Sequence, residues 1–187
     1  MKHDDIVNKV KSILNEHGEV DAVSVGEDRV LLEDYIDSAI PDAVIMLAQK
    51  GYAVNVKILQ NVDFEDKVIT DDDFVSLIFV CSPQWEKDVM KLTDLHSPEY
   101  VMSQNKFTRP KAHSPIVYWL DGDLYANPSA TGAAIMYNAK YNAKNGIKAE
   151  PKEATAVCYM AAALVLGMFG DDQGKQRLSD ISTNMLQ

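Results

Sequence analysis

The side chains best able to support chemistry in this sequence are its histidines, its two cysteines and an acidic run. None of the histidines lies three to five residues from another histidine or a cysteine, so the spacing predicts no zinc site. Cys81 could form a nucleophilic pair with a loop histidine. However, it ends an apolar run without a helix N-terminus or a base nearby to lower its pKa. We therefore predict that His96 and His113 lie in a loop and that Cys81 is a core thiol. The histidines of the chain are His3, His17, His96 and His113.

Two further patterns imitate ligand sites. The acidic run lacks the alternating positions, central glycine and distal glutamate of a calcium loop, and it predicts a solvated hairpin turn instead. Its members are Asp63, Glu65, Asp66, Asp71, Asp72 and Asp73. Gly167, Gly170 and Gly174 follow a helical pattern without a Gly-Lys-Ser/Thr sequence, which indicates a helix-to-helix turn and not a phosphate loop. We therefore predict no catalytic, cofactor or metal residues and a non-enzymatic protein.

Residues 96–113, which we call the arm, have neither helical nor strand periodicity. Long irregular segments between well-patterned elements often make functional contacts. The arm carries aromatic and basic side chains that could stack on single-stranded nucleic acid. Three bases (Lys106, Arg109, Lys111) are too few for that in a chain of net charge −10.

A protein interface suits this mixture of aromatic, amide and basic residues better. The predicted subunit-interface residues are Tyr100, Met102, Asn105, Phe107 and Arg109. The alternative is that the arm packs only over its own sheet.

Length and composition predict one soluble domain over residues 1–187. The pI near 4.7 argues against general binding to phosphate backbones, although a like-charged ring would let a duplex slide past it. Cys81 and Cys158 lie in apolar runs, which predicts buried free thiols and intracellular synthesis. The first residues contain no apolar signal core. The longest apolar run, 161–169, is shorter than the ~20 residues that span a bilayer, so no membrane is expected.

The first half of the chain is predicted to begin with helices. One helix covers 4–17 and ends at Gly18, a short extended piece follows at 20–25, and a second helix runs from Asp28 to Gly51. Pro41 either kinks this helix or divides it. Two strands, 54–62 and 74–80, flank the acidic turn, and the second is apolar enough to be a central strand.

The second half combines a hairpin with helices. A helix is predicted over 84–95, facing Trp85, Val89 and Leu92 inward. Asp121-Gly122 predicts a hairpin between 116–120 and 124–126, followed by a third meander strand at 133–141. A buried helix runs from Pro151 to about Phe169, and an amphipathic helix ends the chain.

This order indicates an α+β fold, with a helical core from the N- and C-terminal helices and a central antiparallel β insertion. The helical part is 1–51, the β-rich insertion with its hairpin meander and arm is 52–150, and the C-terminal helical pair is 151–187.

Three segments together resemble virion structural proteins of bacteriophages and prophages of Bacteroidetes, including crAss-like phages. They are LLEDYIDSAIPDA at 31–43, SPEYVMSQNKFTR at 97–109, and YMAAALVLG at 159–167 with Gly170-Asp171. They span most of the chain in the same order.

The resemblance implies an adaptor or ring protein of the head–tail connector, made in the bacterial host cytoplasm and incorporated in the virion. Its partners would be further copies of itself and the portal or other tail-connector proteins, with DNA passing nearby without sequence-specific binding. It implies no catalytic residues. The alternative is a binding module for a protein or a small molecule, with a pocket between the Trp119 hairpin and the central helix. An enzyme of unrecognised type is a third reading.

Overall fold

The computed structural model describes residues 1–16, 28–65, 68–69 and 72–187. These residues form two compact units. The helical unit comprises Met1–Val56 with Lys140–Gln187, and the sheet unit comprises Lys57–Ala139. Helices lie at both ends of the chain and antiparallel strands lie between them, so the predicted α+β class is confirmed.

The helices are α1 (His3–Glu16), α2 (Asp28–Gln49), α3 (Pro98–Ser103), α4 (Pro151–Met168) and α5 (Asp172–Leu186). The strands are β1 (Val56–Val62), β2 (Val68–Ile69), β3 (Phe74–Cys81), β4 (Ile116–Leu120), β5 (Asp123–Asn127) and β6 (Ala133–Ala139). His17, the predicted helix end at Gly18 and the extended piece at 20–25 lie outside the described residues.

The core of the helical unit is α4, as its nearly uniform apolarity predicts. It packs against α1, α2 and α5. Its many alanines allow close approach of the neighbouring helices, and Ala154, Val157, Met160 and Ala161 are all buried. Asp171 caps α5 by accepting a hydrogen bond from the Gly174 N–H at 2.9 Å, which confirms the predicted turn between the last two helices.

The second helix is not divided at Pro41. It continues from Asp28 to Gln49 with the proline inside it. Ile36, Ile40 and Leu47 on its inner stripe are fully buried. We attribute the continuity to this burial, which offsets the ~3 kcal/mol that an interior proline costs. Gly51 ends the helix at φ +92°, as predicted.

The sheet unit contains two three-stranded sheets around one core, in the orders β1-β6-β3 and β2-β5-β4. The predicted hairpin between the strands that flank the acidic turn is wrong, because β6 lies between β1 and β3. Ile135 and Tyr137 of β6 are fully buried, whereas most of β3 is only half-buried. The central position therefore belongs to β6 and not to β3, since the more deeply buried strand takes the middle of the sheet.

The hairpin at Asp121-Gly122 is confirmed. Both turn residues have positive φ, +51° and +88°, and β4 pairs with β5 in antiparallel register. The third meander strand is wrong in its pairing, since β6 joins the other sheet and the short β2 pairs with β5 instead.

The helix predicted over 84–95 is also wrong. Turns and a β-bridge occupy this segment, and Val80 and Val89 exchange backbone hydrogen bonds of 2.8 and 2.9 Å. Trp85 and Val89 are nevertheless buried, as predicted. The apolar spacing predicted these two core residues correctly, but a turn at Trp85 and a β-bridge at Val89 hold them, and not a helix.

Candidate interaction surface

The arm begins with α3, a short helix in a segment predicted to be irregular. Pro98 occupies the first turn, and the Ser97 hydroxyl accepts a hydrogen bond from the Tyr100 N–H at 3.2 Å. The prediction was wrong for these six residues because so short a helix shows no apolar period. The sequence Ser97-Pro98-Glu99, which is typical of a helix N-terminus, could have predicted α3.

The helix is attached to the sheet unit at two points. The Tyr100 ring contacts the Tyr118 ring edge-on, with centroids 4.8 Å apart. The Asn127 side chain donates to the Ser103 carbonyl at 3.1 Å. Burial and the neighbouring Tyr100 hydroxyl raise the pKa of Tyr118, which keeps the Tyr118 phenol neutral. Tyr100 therefore anchors the arm on its own sheet.

A tight turn follows α3 and presents Phe107. The Asn105 carboxamide oxygen accepts from the Phe107 N–H at 3.0 Å, and the Thr108 hydroxyl donates to the Met102 carbonyl at 2.8 Å. A third bond joins the Thr108 N–H to the Asn105 carbonyl at 3.0 Å. Local side-chain bonds of this kind specify turns, so Asn105 sets the position of Phe107.

The Phe107 side chain is 85% exposed and that of Met102 is 55% exposed. Both line an open groove of about 500 Å³. The other lining residues are Glu99, Thr108, Arg109, Pro110, Lys111, His113, Ser114, Pro115 and Ile116. The structure thus brings Met102, Phe107 and Arg109 together at one groove.

The arm is locally basic in an acidic protein. Residues 100–120 contain Lys106, Arg109 and Lys111 and no acidic residue. The Lys106 ammonium lies 5.1 Å from the centroid of the Phe107 ring, within cation–π range. An exposed apolar centre with cations at its margin is an arrangement found at protein interfaces.

The sequence patterns do not predict one polar cluster, which forms around His3. His3 Nδ1 lies 2.7 Å from the Tyr141 hydroxyl, and His3 Nε2 lies 3.4 Å from an Asp37 carboxylate oxygen. Burial, followed by the Asp37 charge, raises the pKa of Tyr141 to about 12. The raised pKa keeps the Tyr141 phenol neutral. Through its contacts with Tyr141 and Asp37, His3 links α1 to α2 and to the chain before α4. No local spacing could reveal residues so far apart in sequence.

The cysteines and the acidic residues have structural surroundings that do not form a reactive cluster among the described residues. Both cysteines are free, with Cys158 buried and Cys81 half-buried. Burial raises the pKa of Cys158 to about 11, which keeps this thiol protonated. The Asp73 carboxylate accepts from Lys57 and from Tyr137, each at 3.2 Å. Within the described ranges, no three side chains of metal-binding type converge, and Asp66 and Asp71 fall outside those ranges.

Both tryptophans take part in core packing of the sheet unit. Trp119 stacks on Phe74 with ring centroids 4.6 Å apart, and Trp85 lies 6.3 Å from Phe64. Trp85 is buried, and its indole N–H has no hydrogen-bond partner among the residues that the structure describes. These packed indoles differ from the exposed Phe107 of the arm.

Comparison with models of protein families finds no match for this chain, and comparison with curated proteins finds none either. Among the residues that the structure describes, no helix combines the length and apolarity needed to cross a bilayer.

Proposed function

We propose that this chain is a non-enzymatic structural subunit that assembles with copies of itself through the arm. Following the three-segment resemblance, the assembly would be an adaptor or ring of a phage head–tail connector, placed in the virion beside the portal. The observation that carries the proposal is the almost complete exposure of Phe107 on a turn fixed by hydrogen bonds.

The fixed position of Phe107 matters for binding. A flexible aromatic side chain would lose conformational entropy on association, whereas a preorganised one loses less. Asn105 and Thr108 hold the turn, and Tyr100 holds the helix before it. Aromatic and arginine side chains supply most of the binding energy at interfaces, and the groove offers both in Phe107 and Arg109.

The charge distribution fits a role beside DNA without tight binding to it. The net charge is −10, so the subunit as a whole repels phosphate. The three bases of the arm are too few to reverse this, and they are better used against an acidic protein surface.

A protein or small-molecule binding module is the second candidate. The observation in its favour is the groove itself, where Arg109, Lys111 and His113 accompany apolar side chains. Such a module would bind its ligand as a monomer, which separates it from a self-assembling subunit.

Sedimentation velocity over a range of protein concentrations tests the proposal. The wild-type chain should associate, and the double variant Met102→Ser/Phe107→Ser should associate about 100-fold more weakly. Removing these two apolar contacts forfeits about 3 kcal/mol, at about 1.4 kcal/mol per tenfold change.

Met90→Ser is the matched control, because Met90 is 66% exposed and lies outside the arm. It should associate like the wild type. A wild-type chain that remains monomeric at every concentration contradicts the proposal, and a monomer that binds a small ligand in the groove would favour the second candidate.

A further inference from the structure

We infer that the arm of one copy docks on an aromatic patch of the helical unit of the next copy, so that the subunits join head to tail. The patch comprises Tyr35, Met168 and Phe169. This inference rests on the proposed function and specifies its partner surface, namely a second copy of this chain.

The patch is an exposed aromatic pair at the end of α4. The Tyr35 and Phe169 rings meet edge-on with centroids 5.0 Å apart, yet Tyr35 is 39% and Phe169 is 47% exposed. Phe169 is the C-cap residue of α4, and Gly170 follows it at φ +83°, where the chain turns toward α5. Met168 beside it is equally exposed.

Two exposed acidic residues adjoin this patch along the chain. Asp34 precedes Tyr35 on α2, Asp172 begins α5 just after Phe169, and both are exposed. Glu33 is engaged within the unit, since it pairs with Lys11. The Lys175 side chain lies over Gly167, where an added Cβ would meet its Cδ at 2.7 Å, and Lys175 is exposed, so a cation lies near the patch as well as the two carboxylates.

The arm carries the opposite character at its margin. Its apolar centre of Met102 and Phe107 is bordered by Lys106, Arg109 and Lys111, and these three bases outnumber Glu99, the acidic residue of the arm. Apolar centres would meet while cations of one copy face carboxylates of the other, which favours association and fixes orientation. An arm-to-arm contact would instead place cations against cations.

Two different surfaces that complement each other produce a heterologous contact. Such contacts repeat from subunit to subunit and close into a ring when the rotation permits. Each copy then uses one arm and one patch, and neither surface is left uncovered in the closed assembly.

Mixing two half-defective variants tests the direction of the contact. The arm variant Met102→Ser/Phe107→Ser keeps its patch, and the patch variant Tyr35→Ser/Phe169→Ser keeps its arm. Each should be monomeric alone, and their equimolar mixture should form a heterodimer and nothing larger, because one arm and one patch remain. Native mass spectrometry distinguishes the two variants by mass.

The outcomes separate this inference from the proposed function. If the arm variant is monomeric but the patch variant still assembles like the wild type, the arm binds elsewhere and the inference fails alone. If the wild type itself never associates, both fail. A mixture that stays monomeric also overturns the head-to-tail contact.

A charge-reversal pair guards against misfolding of the patch variant. Asp34→Lys and Arg109→Glu each change one exposed charge and should each weaken association about fivefold to tenfold. Mixing these two variants should recover association between unlike copies. Absence of any recovery, with both variants folded by circular dichroism, counts against the proposed charge pairing.

Discussion

Replacement of Gly146 by alanine should destabilise the helical unit strongly. An added Cβ would lie 2.2 Å from the Met1 carbonyl oxygen and 3.1 Å from the Lys2 Cα, both of which are backbone atoms. Side-chain rotation cannot relieve such a contact, so the first residues must move. Gly146 also has φ +65°, where alanine is strained by about 1–2 kcal/mol.

The rest of the loss in unfolding free energy comes from the hydrogen bonds of Met1 that the added Cβ would break. The Met1 ammonium donates to the Ile147 carbonyl at 2.7 Å, and the Ile147 N–H donates to the Met1 carbonyl at 2.9 Å. Losing a charged and a neutral hydrogen bond costs about 2–3 kcal/mol together. With the backbone strain, the free energy of unfolding should fall by about 3–5 kcal/mol.

Gly51→Ala supplies the matched control in the same unit. Gly51 also has positive φ, +92°, but no atom of the described part of the chain lies within 4 Å of its added Cβ. The unfolding free energy of Gly51→Ala should fall only by the backbone strain, about 1–2 kcal/mol. Urea unfolding followed by far-ultraviolet circular dichroism measures both variants. Equal losses within about 0.5 kcal/mol would refute the packing role assigned to the Met1–Ile147 contact.

Two further outcomes test the arm and the buried phenol. Asn105→Ala should weaken self-association about fivefold, since the Phe107 N–H loses an acceptor worth about 1 kcal/mol. The free energy of unfolding should fall by no more than about the same 1 kcal/mol, so the variant stays folded. An unaltered association constant would count against the role of the turn. Above pH 10 the unfolded chain loses the Tyr141 proton while the folded chain, with its pKa of about 12, retains it. Stability therefore falls as pH rises from 10 to 12, and Tyr141→Phe should make that fall shallower in urea titrations. If stability falls equally steeply with pH in Tyr141→Phe and in the wild type, Tyr141 does not contribute to the pH dependence.

Local patterns predicted the elements whose evidence lies within a few residues. Asp121-Gly122 needs positive φ at both positions, and this requirement identifies the hairpin without knowledge of the rest of the fold. The uniform apolarity of 151–168 likewise identifies α4 as the buried helix. In both cases the sequence determines the structure through neighbouring residues.

Strand order could not be predicted in the same way. The position of β6 between β1 and β3 depends on pairing across the sheet unit, which no local period records. The 84–95 segment shows the related ambiguity, because Trp85 and Val89 are buried at a helical spacing although a turn holds Trp85 and a β-bridge holds Val89.

The arm was identified for its composition, and the structure separates the roles of its residues. Tyr100 anchors α3 on β4, and Asn105 shapes the turn, whereas Met102, Phe107 and Arg109 line the groove. The aromatic patch was not predicted, because Tyr35 and Phe169 come together only when α2 packs against α4.

The central claim is that the exposed centre of the arm is covered by another copy of the chain. Native mass spectrometry of the wild-type protein over a concentration series measures this most directly. We expect intermediate oligomers that converge on one closed ring of fixed stoichiometry as the protein concentration rises. A single monomeric species throughout the series would contradict it.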